Sequence, residues 1–156
     1  LRCLVGSEMC IRDSHKYAQR IVYDSPCYPE YMDRKLRIDA GGETFAPYSP
    51  GISVRDHVWL SGQVDVTGSD IESQTRGTLA KIDALLEASN SSKYDLVKVT
   101  ILMSDMSFYS KINEIYGEWL EDSIPPSRAA YAVSDPPVGA LIEIVCEAFR
   151  GSGRND

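Results

Sequence analysis

"DIESQTRGTLAKIDALLEAS", Asp70 to Ser89, followed by "DLVKVTILMSDM", Asp95 to Met106, is the stretch whose reading decides the architecture. In the first piece Ile71, Thr75, Leu79, Ile82 and Leu86 recur at helical spacing, and Ser69 with Glu72 fits a capping box at the start. That helix is expected to stop at "SNSS", Ser89 to Ser92. The second piece is a β-branched run that reads as a strand, with Val97, Val99, Ile101 and Met103 on one face. A helix handing over directly to a strand is a building block of an α+β layer domain.

Upstream, "ISVRDHVWLSGQ", Ile52 to Gln63, alternates apolar and polar residues around a turn at Arg55-Asp56 and predicts a hairpin ending at Ser61-Gly62. "RKLRID", Arg34 to Asp39, is a short first strand, and "AGGETFAPYSPG", Ala40 to Gly51, is a loop punctuated by glycine and proline. Downstream, Phe108, Ile112, Ile115 and Trp119 form the stripe of a second helix, which Pro125-Pro126 ends. Two strands close the domain, Arg128 to Val133 and Ala140 to Phe149, separated by the turn chemistry of "SDPPVG". The predicted order is β-β-β-α-β-α-β-β. Each helix has one apolar stripe, so both cover one face of a single mixed sheet. "TILM" and "ALIEIVCEAF" are apolar on both faces, which points to burial of the other sheet face against further subunits.

The chain has 156 residues, 43% hydrophobic and 25% charged, which suits one globular domain. A net charge of −7 repels phosphate backbones and argues against nucleic acid as a partner. No apolar run is long enough to span a bilayer, so a membrane is not expected as a partner either, and we expect a cytoplasmic protein. Cys3, Cys10, Cys27 and Cys146 make no metal-ligand spacing, and with His15 and His57 as the whole histidine complement no metal site is expected. "LVGSEMCIRDS", Leu4 to Ser14, resembles the conceptual translation of a transposase sequencing adapter. Residues 1–14 are therefore expected to take no part in the fold, residues 15–35 to form an N-terminal extension, 36–150 the domain and 151–156 a tail.

Two charges stand out on the closing strands. Strand alternation places Arg128, Ala130 and Ala132 on one face, and the two alanines leave space beside the guanidinium for an anion. Arginine's planar fork pairs with a carboxylate through two parallel hydrogen bonds, fixing orientation as well as charge. Glu143 projects with Leu141 and Val145 and needs a partner of its own. An Arg128–Glu143 ion pair at a subunit interface is the plain structural alternative. Without further context Tyr48 reads as a packing tyrosine, Asn113 as a helix-surface residue, Ser61-Gly62 as a hairpin or bulge signal, His57 as a strand residue without a catalytic role, and Cys146 as a core thiol.

The pieces "APYSPGI", "WLSGQV", "DIESQTRGTLAKIDALLEAS", "DLVKVTILMSDM", "INEIYGEWL", "PPSRAAYAV" and "GALIEIVCEAF" together resemble the reactive intermediate deaminase family (RidA, also YjgF, once grouped as endoribonuclease L-PSP). The resemblance runs from Leu36 to Arg150 in family order. It implies a chorismate-mutase-like α+β fold, a mixed sheet with two helices on one face, assembled as a homotrimeric barrel with clefts at the subunit interfaces. It implies cofactor-independent hydrolysis of 2-aminoacrylate-derived imines and enamines to 2-keto acids and ammonia. Carried over, Arg128 corresponds to the arginine that binds the substrate carboxylate and Glu143 to the glutamate that activates water. Tyr48, Ser61, Gly62, Asn113 and the backbone N–H of Ala130 correspond to the substrate-binding positions. Many members carry cysteine where this chain has Ala130. The connection "VDVTGS", Val64 to Ser69, is shorter than the family's usual one and borders the cleft, where it bears on substrate size. The alternatives are a non-catalytic trimer that binds small carboxylates and regulates a partner, which Arg128 fits equally, and a ribonuclease, which an acidic chain serves poorly.

Overall fold

The structure is a computed structural model and describes residues 34–41 and 46–153. The adapter-like segment, the expected extension up to residue 33, and Cys3, Cys10, Cys27 and His15 lie outside the described residues.

A single six-stranded sheet carries strands β1 (Leu36–Ile38), β2 (Gly51–Val54), β3 (His57–Gln63), β4 (Leu96–Met103), β5 (Ser127–Ala132) and β6 (Ile142–Phe149) in the spatial order β1-β2-β3-β6-β4-β5. The β4–β5 pair is parallel and every other pair antiparallel, so the sheet is mixed, as expected. Helices α1 (Ile71–Ala88) and α2 (Tyr109–Trp119) supply the apolar cover. Val58, Leu60, Val99, Ile101, Met103, Ile142, Ile144 and Cys146 form the sheet side of the core, against Leu79, Ile82, Leu86, Ile112 and Ile115 from the helices.

Three local readings are corrected. The N-cap of α1 is Asp70, whose side chain accepts from the Ser73 backbone N–H, with Ser73 closing the box; an aspartate outcompetes the serine one position earlier because it also meets the positive end of the helix. Val97 is 44% exposed because the β4–β6 register slips between Leu96 and Lys98, which turns Leu96 rather than Val97 inward. The second helix ends at Trp119, well before Pro125-Pro126, with Asp122 at φ 68 in the turn that follows. Its inward stripe includes Tyr116 and Leu120 beside Ile112 and Ile115. The Arg55-Asp56 turn, the stop of α1 at Ser89 and the buried Cys146 are as expected. Burial pushes the Cys146 thiol up to about 12, which keeps it protonated.

The face away from the helices carries Ile52, Trp59, Thr100, Leu102, Val145 and Tyr131, none of them fully buried. Trp59 stacks on His57, whose ring meets Phe149 edge-on. A sheet face this apolar and this open is uncommon on a monomer.

Candidate active site

β3 and β6 run in register up to Leu60–Cys146, then shift so that Gln63 pairs with Ile144. The two residues passed over are Ser61 and Gly62, so of the hairpin or bulge that the sequence offered there, the bulge forms. Gly62 is required there. A Cβ at this position would overlap the Glu143 carboxylate, which lies directly against the Gly62 backbone. Ser61 anchors the preceding loop, its hydroxyl donating to the Ser49 carbonyl at 2.7 Å while its N–H donates to Pro50 O at 3.0 Å. Gln63 Nε2 adds a bond to Ser61 O at 2.8 Å. Tyr48, next to Ser49, is held beside the bulge by this network. Tyr48, Ser61, Gly62 and Glu143 thus border one cleft of about 910 Å³.

Glu143 is half-buried, and burial raises its pKa above the usual glutamate range. Burial is the sole cause. Arg128 does not offset it, because the two charges do not meet within one chain. In the parallel β4–β5 register Arg128 stands beside Val99 and Ala130 beside Ile101, which places them on the helix-covered face. Glu143 stands beside Leu102, on the open face. β4 also separates the two strands. No Arg128–Glu143 ion pair forms among the described residues of the chain, and two opposite sheet faces are the reason.

Arg128 has its own surroundings. Its guanidinium lies over the Tyr116 ring, 5.1 Å from the centroid, and over Tyr109 at 5.8 Å, and Nη2 donates to the Tyr109 hydroxyl at 3.3 Å. The side chain is otherwise exposed. Tyr116 is 5% exposed, and its hydroxyl has no hydrogen-bond partner among the described residues; burial raises its pKa. Asn113 sits one turn from each tyrosine on α2, and its buried Oδ1 likewise has no partner among the described residues. β5 is an edge strand, so one row of its backbone N–H and C=O groups, along Ala130, has no ladder partner among the described residues. A carboxylate here would meet a planar guanidinium braced by two aromatic rings.

The expected site residues therefore fall into two groups. Tyr48, Ser61, Gly62 and Glu143 come together, and Arg128, Asn113 and Ala130 come together elsewhere. Tyr109 and Tyr116 were missed by sequence reasoning, although their seven-residue spacing on a helix leading to a parallel strand was a usable signal. The described residues contain no cluster of metal-ligating side chains and no helix long and apolar enough to cross a membrane.

A mixed sheet backed by two helices, with a carboxylate over a β-bulge at one end and an arginine on the far edge strand, defines a compact α+β domain of one known class. A family profile described as Endoribonuclease L-PSP matches residues 40–150. The chain is 37% identical to a RutC family protein of Pyrococcus horikoshii over 111 residues, 67% of this chain and 87% of that protein. It is 31% identical over 112 residues to the 2-iminobutanoate/2-iminopropanoate deaminase of Mus musculus, covering 67% of this chain and 82% of that one. Among solved structures, a Rid protein of Yersinia pestis superposes with a TM-score of 0.71 at 34% identity, over 74% of this chain and 99% of that one. Escherichia coli TdcF with bound serine superposes with a TM-score of 0.71 at 26% identity, over 74% and 99%. The chain belongs to the endoribonuclease L-PSP family, which includes the RutC and RidA/YjgF proteins.

Proposed function

We propose that this protein is an imine deaminase that hydrolyses 2-imino acids, or their enamine tautomers, to 2-keto acids and ammonia, and that its working form is a homotrimer. The observation that carries the reading is the Glu143 carboxylate, lodged over Gly62 at the head of a cleft and raised in pKa by burial. A receptor for carboxylates gains nothing from a second negative group in its cleft; a hydrolase gains a base.

Water adds to C2 of the imine, and Glu143 takes one of its protons as the C–O bond forms. The C=N π electrons move to nitrogen, which takes that proton back from Glu143, giving a neutral tetrahedral amino alcohol. Glu143 then takes the hydroxyl proton and delivers it to the amino nitrogen as the C–N bond breaks and the C2 carbonyl forms. Ammonia leaves with the electron pair. A carboxyl whose pKa is shifted toward neutrality both accepts and releases a proton in one cycle. An imine is already electrophilic, so the remaining requirement is orientation. Arg128 is the group suited to hold the substrate carboxylate.

Because Arg128 and Glu143 occupy opposite faces, we infer that one cleft takes Glu143 from one subunit and Arg128 from another. The open apolar face with Trp59, Leu102 and Tyr131 supports the assembly. Imines released by an amino-acid oxidase, with imine loss followed against the spontaneous rate, test the activity. Light scattering tests the trimer. No acceleration over the spontaneous rate, with tight binding of 2-keto acids, would make the protein a carboxylate-binding module instead.

A further inference from the structure

The cleft that Glu143 borders also has an apolar wall, to which Val64, Val66, Ala84, Leu85, Pro137 and Val138 contribute. Lys81 is the one lysine or arginine among the described residues that line this cleft, and it is engaged. Its ammonium donates to Val64 O at 2.8 Å and pairs with Asp65 at 3.4 Å. Asp65 is itself buried, accepts from the Thr67 backbone N–H and hydroxyl, and presses against α1 where only a glycine, Gly77, leaves room. Gln74 Nε2 adds a bond to Gly68 O at 3.0 Å, and its Oε1 accepts from Leu141 N at 2.8 Å. The connection carrying Val64 and Val66 is thereby pinned on α1, and its valines form a fixed wall.

Val138 lines the same cleft from another segment. It has φ 55 and ψ 25, a left-handed conformation that a β-branched side chain strongly resists. It is also 74% exposed, so no packing within the described residues explains it. Glycine or asparagine would suit the backbone better. The turn that Ala140 N closes by donating to Pro137 O at 3.0 Å, with Gly139 at φ 71, holds this valine in place, exposed and lining the cleft.

We propose that this wall receives the side chain of the bound 2-imino acid and selects extended aliphatic side chains, of leucine or methionine type, over short ones and over acidic ones. The proposal rests on the deaminase reading for its substrate class. With the carboxylate held on an arginine and C2 next to Glu143, the side chain is the part left to enter the apolar end. Each methylene buried there favours binding by about fourfold. An acidic side chain would find Lys81 already paired and Glu143 repelling it.

The test compares imines made by an amino-acid oxidase from leucine, methionine, alanine and glutamate, each corrected for spontaneous hydrolysis. In parallel, calorimetry measures binding of 4-methyl-2-oxopentanoate and of pyruvate. The expected result is a kcat/KM roughly 10- to 100-fold higher for the leucine-derived than for the alanine-derived imine, with the glutamate-derived imine poorest. The branched keto acid should bind tighter by a similar factor. Val138→Asp, which relieves the backbone but charges the wall, should lower the leucine-to-alanine ratio about tenfold. Val66→Asp is the second variant, on a separate segment. Turnover of the alanine-derived imine without preference for leucine overturns the proposal and leaves the deaminase reading intact. Tighter binding of the branched keto acid without any turnover overturns the deaminase reading and leaves the wall. A leucine-to-alanine ratio unchanged by both variants removes these valines from the selection.

Discussion

The middle of the sheet and its β5 edge are built in different ways. At the end of the β3–β6 pair a bulge, a glycine without which the carboxylate would be displaced, and a connection pinned through Asp65 and Gln74 hold one acidic group in a partly buried cleft. At the β5 edge one arginine lies exposed, steadied by two tyrosine rings rather than by an opposite charge. The first end tolerates a desolvated charge because it is rigid. The second keeps a cation open, with its planar fork oriented and its hydrogen-bonding edges available. On the deaminase reading proposed above each is half of a hydrolytic site, and the two lie on opposite faces of the sheet of one chain.

The largest effects should come from removing either half. Arg128→Lys keeps the charge but loses the planar fork, and should lower kcat/KM by roughly 30- to 1000-fold, about 2–4 kcal/mol of transition-state binding. Its melting temperature should stay near that of the native protein, since the residue is exposed. Glu143→Gln should bind 2-keto acids normally and hydrolyse imines slowly, because the amide still holds water but is a poor base. If both variants melt early and keep native turnover per folded molecule, the charges are structural and the reading of this site is wrong.

Next in size is a recovery. Dissociating and reassembling Arg128→Lys with Glu143→Gln in equal amounts should restore about a quarter of native specific activity, since about one cleft in four would draw its native halves from two different chains. Absence of recovery in verified mixed oligomers would mean that each chain carries a complete site, against the separation of the two faces.

Gly62→Ala sharpens the contrast from the other side. The new methyl displaces the end of a flexible glutamate rather than backbone, so the fold should survive while the carboxylate swings away. A fall in kcat of roughly tenfold or more, with KM changed much less, is expected from steady-state kinetics. A change in KM alone would show that the carboxylate's position is not what matters.

The smallest effect concerns pH. The folded pKa of Glu143 is raised above its unfolded value by burial, so the folded state binds the proton more tightly. This contribution to stability is fully present below the unfolded pKa and is lost as pH rises through the folded pKa. Glu143→Gln has no such loss. Relative to the native protein it should gain stability at neutral pH compared with pH 4, by an amount kept small by solvent screening at a half-buried site. Melting curves across that range read the difference. The same shift puts the acid limb of the activity profile above the ordinary glutamate value of 4.5.

Much of the fold was legible because its signals are local. Helical spacing from Ile71 to Leu86, the Arg55-Asp56 turn and the alternation of β6 each depend on neighbours a few residues away. The misread positions are those where a neighbour distant in sequence intervenes. Val97 turns outward because β4 slips against β6, and no Arg128–Glu143 pair forms within one chain because β4 lies between β5 and β6. Tyr109 and Tyr116 went unnoticed because a face of α2 acquires meaning only when the arginine of β5 is set on it.

The sequence by itself determined the element order, the apolar face of each helix, a break in the strand at Ser61-Gly62 and the identity of the two unusual charges, because periodicity and residue type are properties of short segments. Tertiary structure alone decided that Arg128 and Glu143 face opposite ways, that Gly62 yields its space to a carboxylate, and that a strained Val138 overlooks an apolar cleft. Strand order and register are set by which surfaces bury together across the whole chain, and no local stretch encodes that sum.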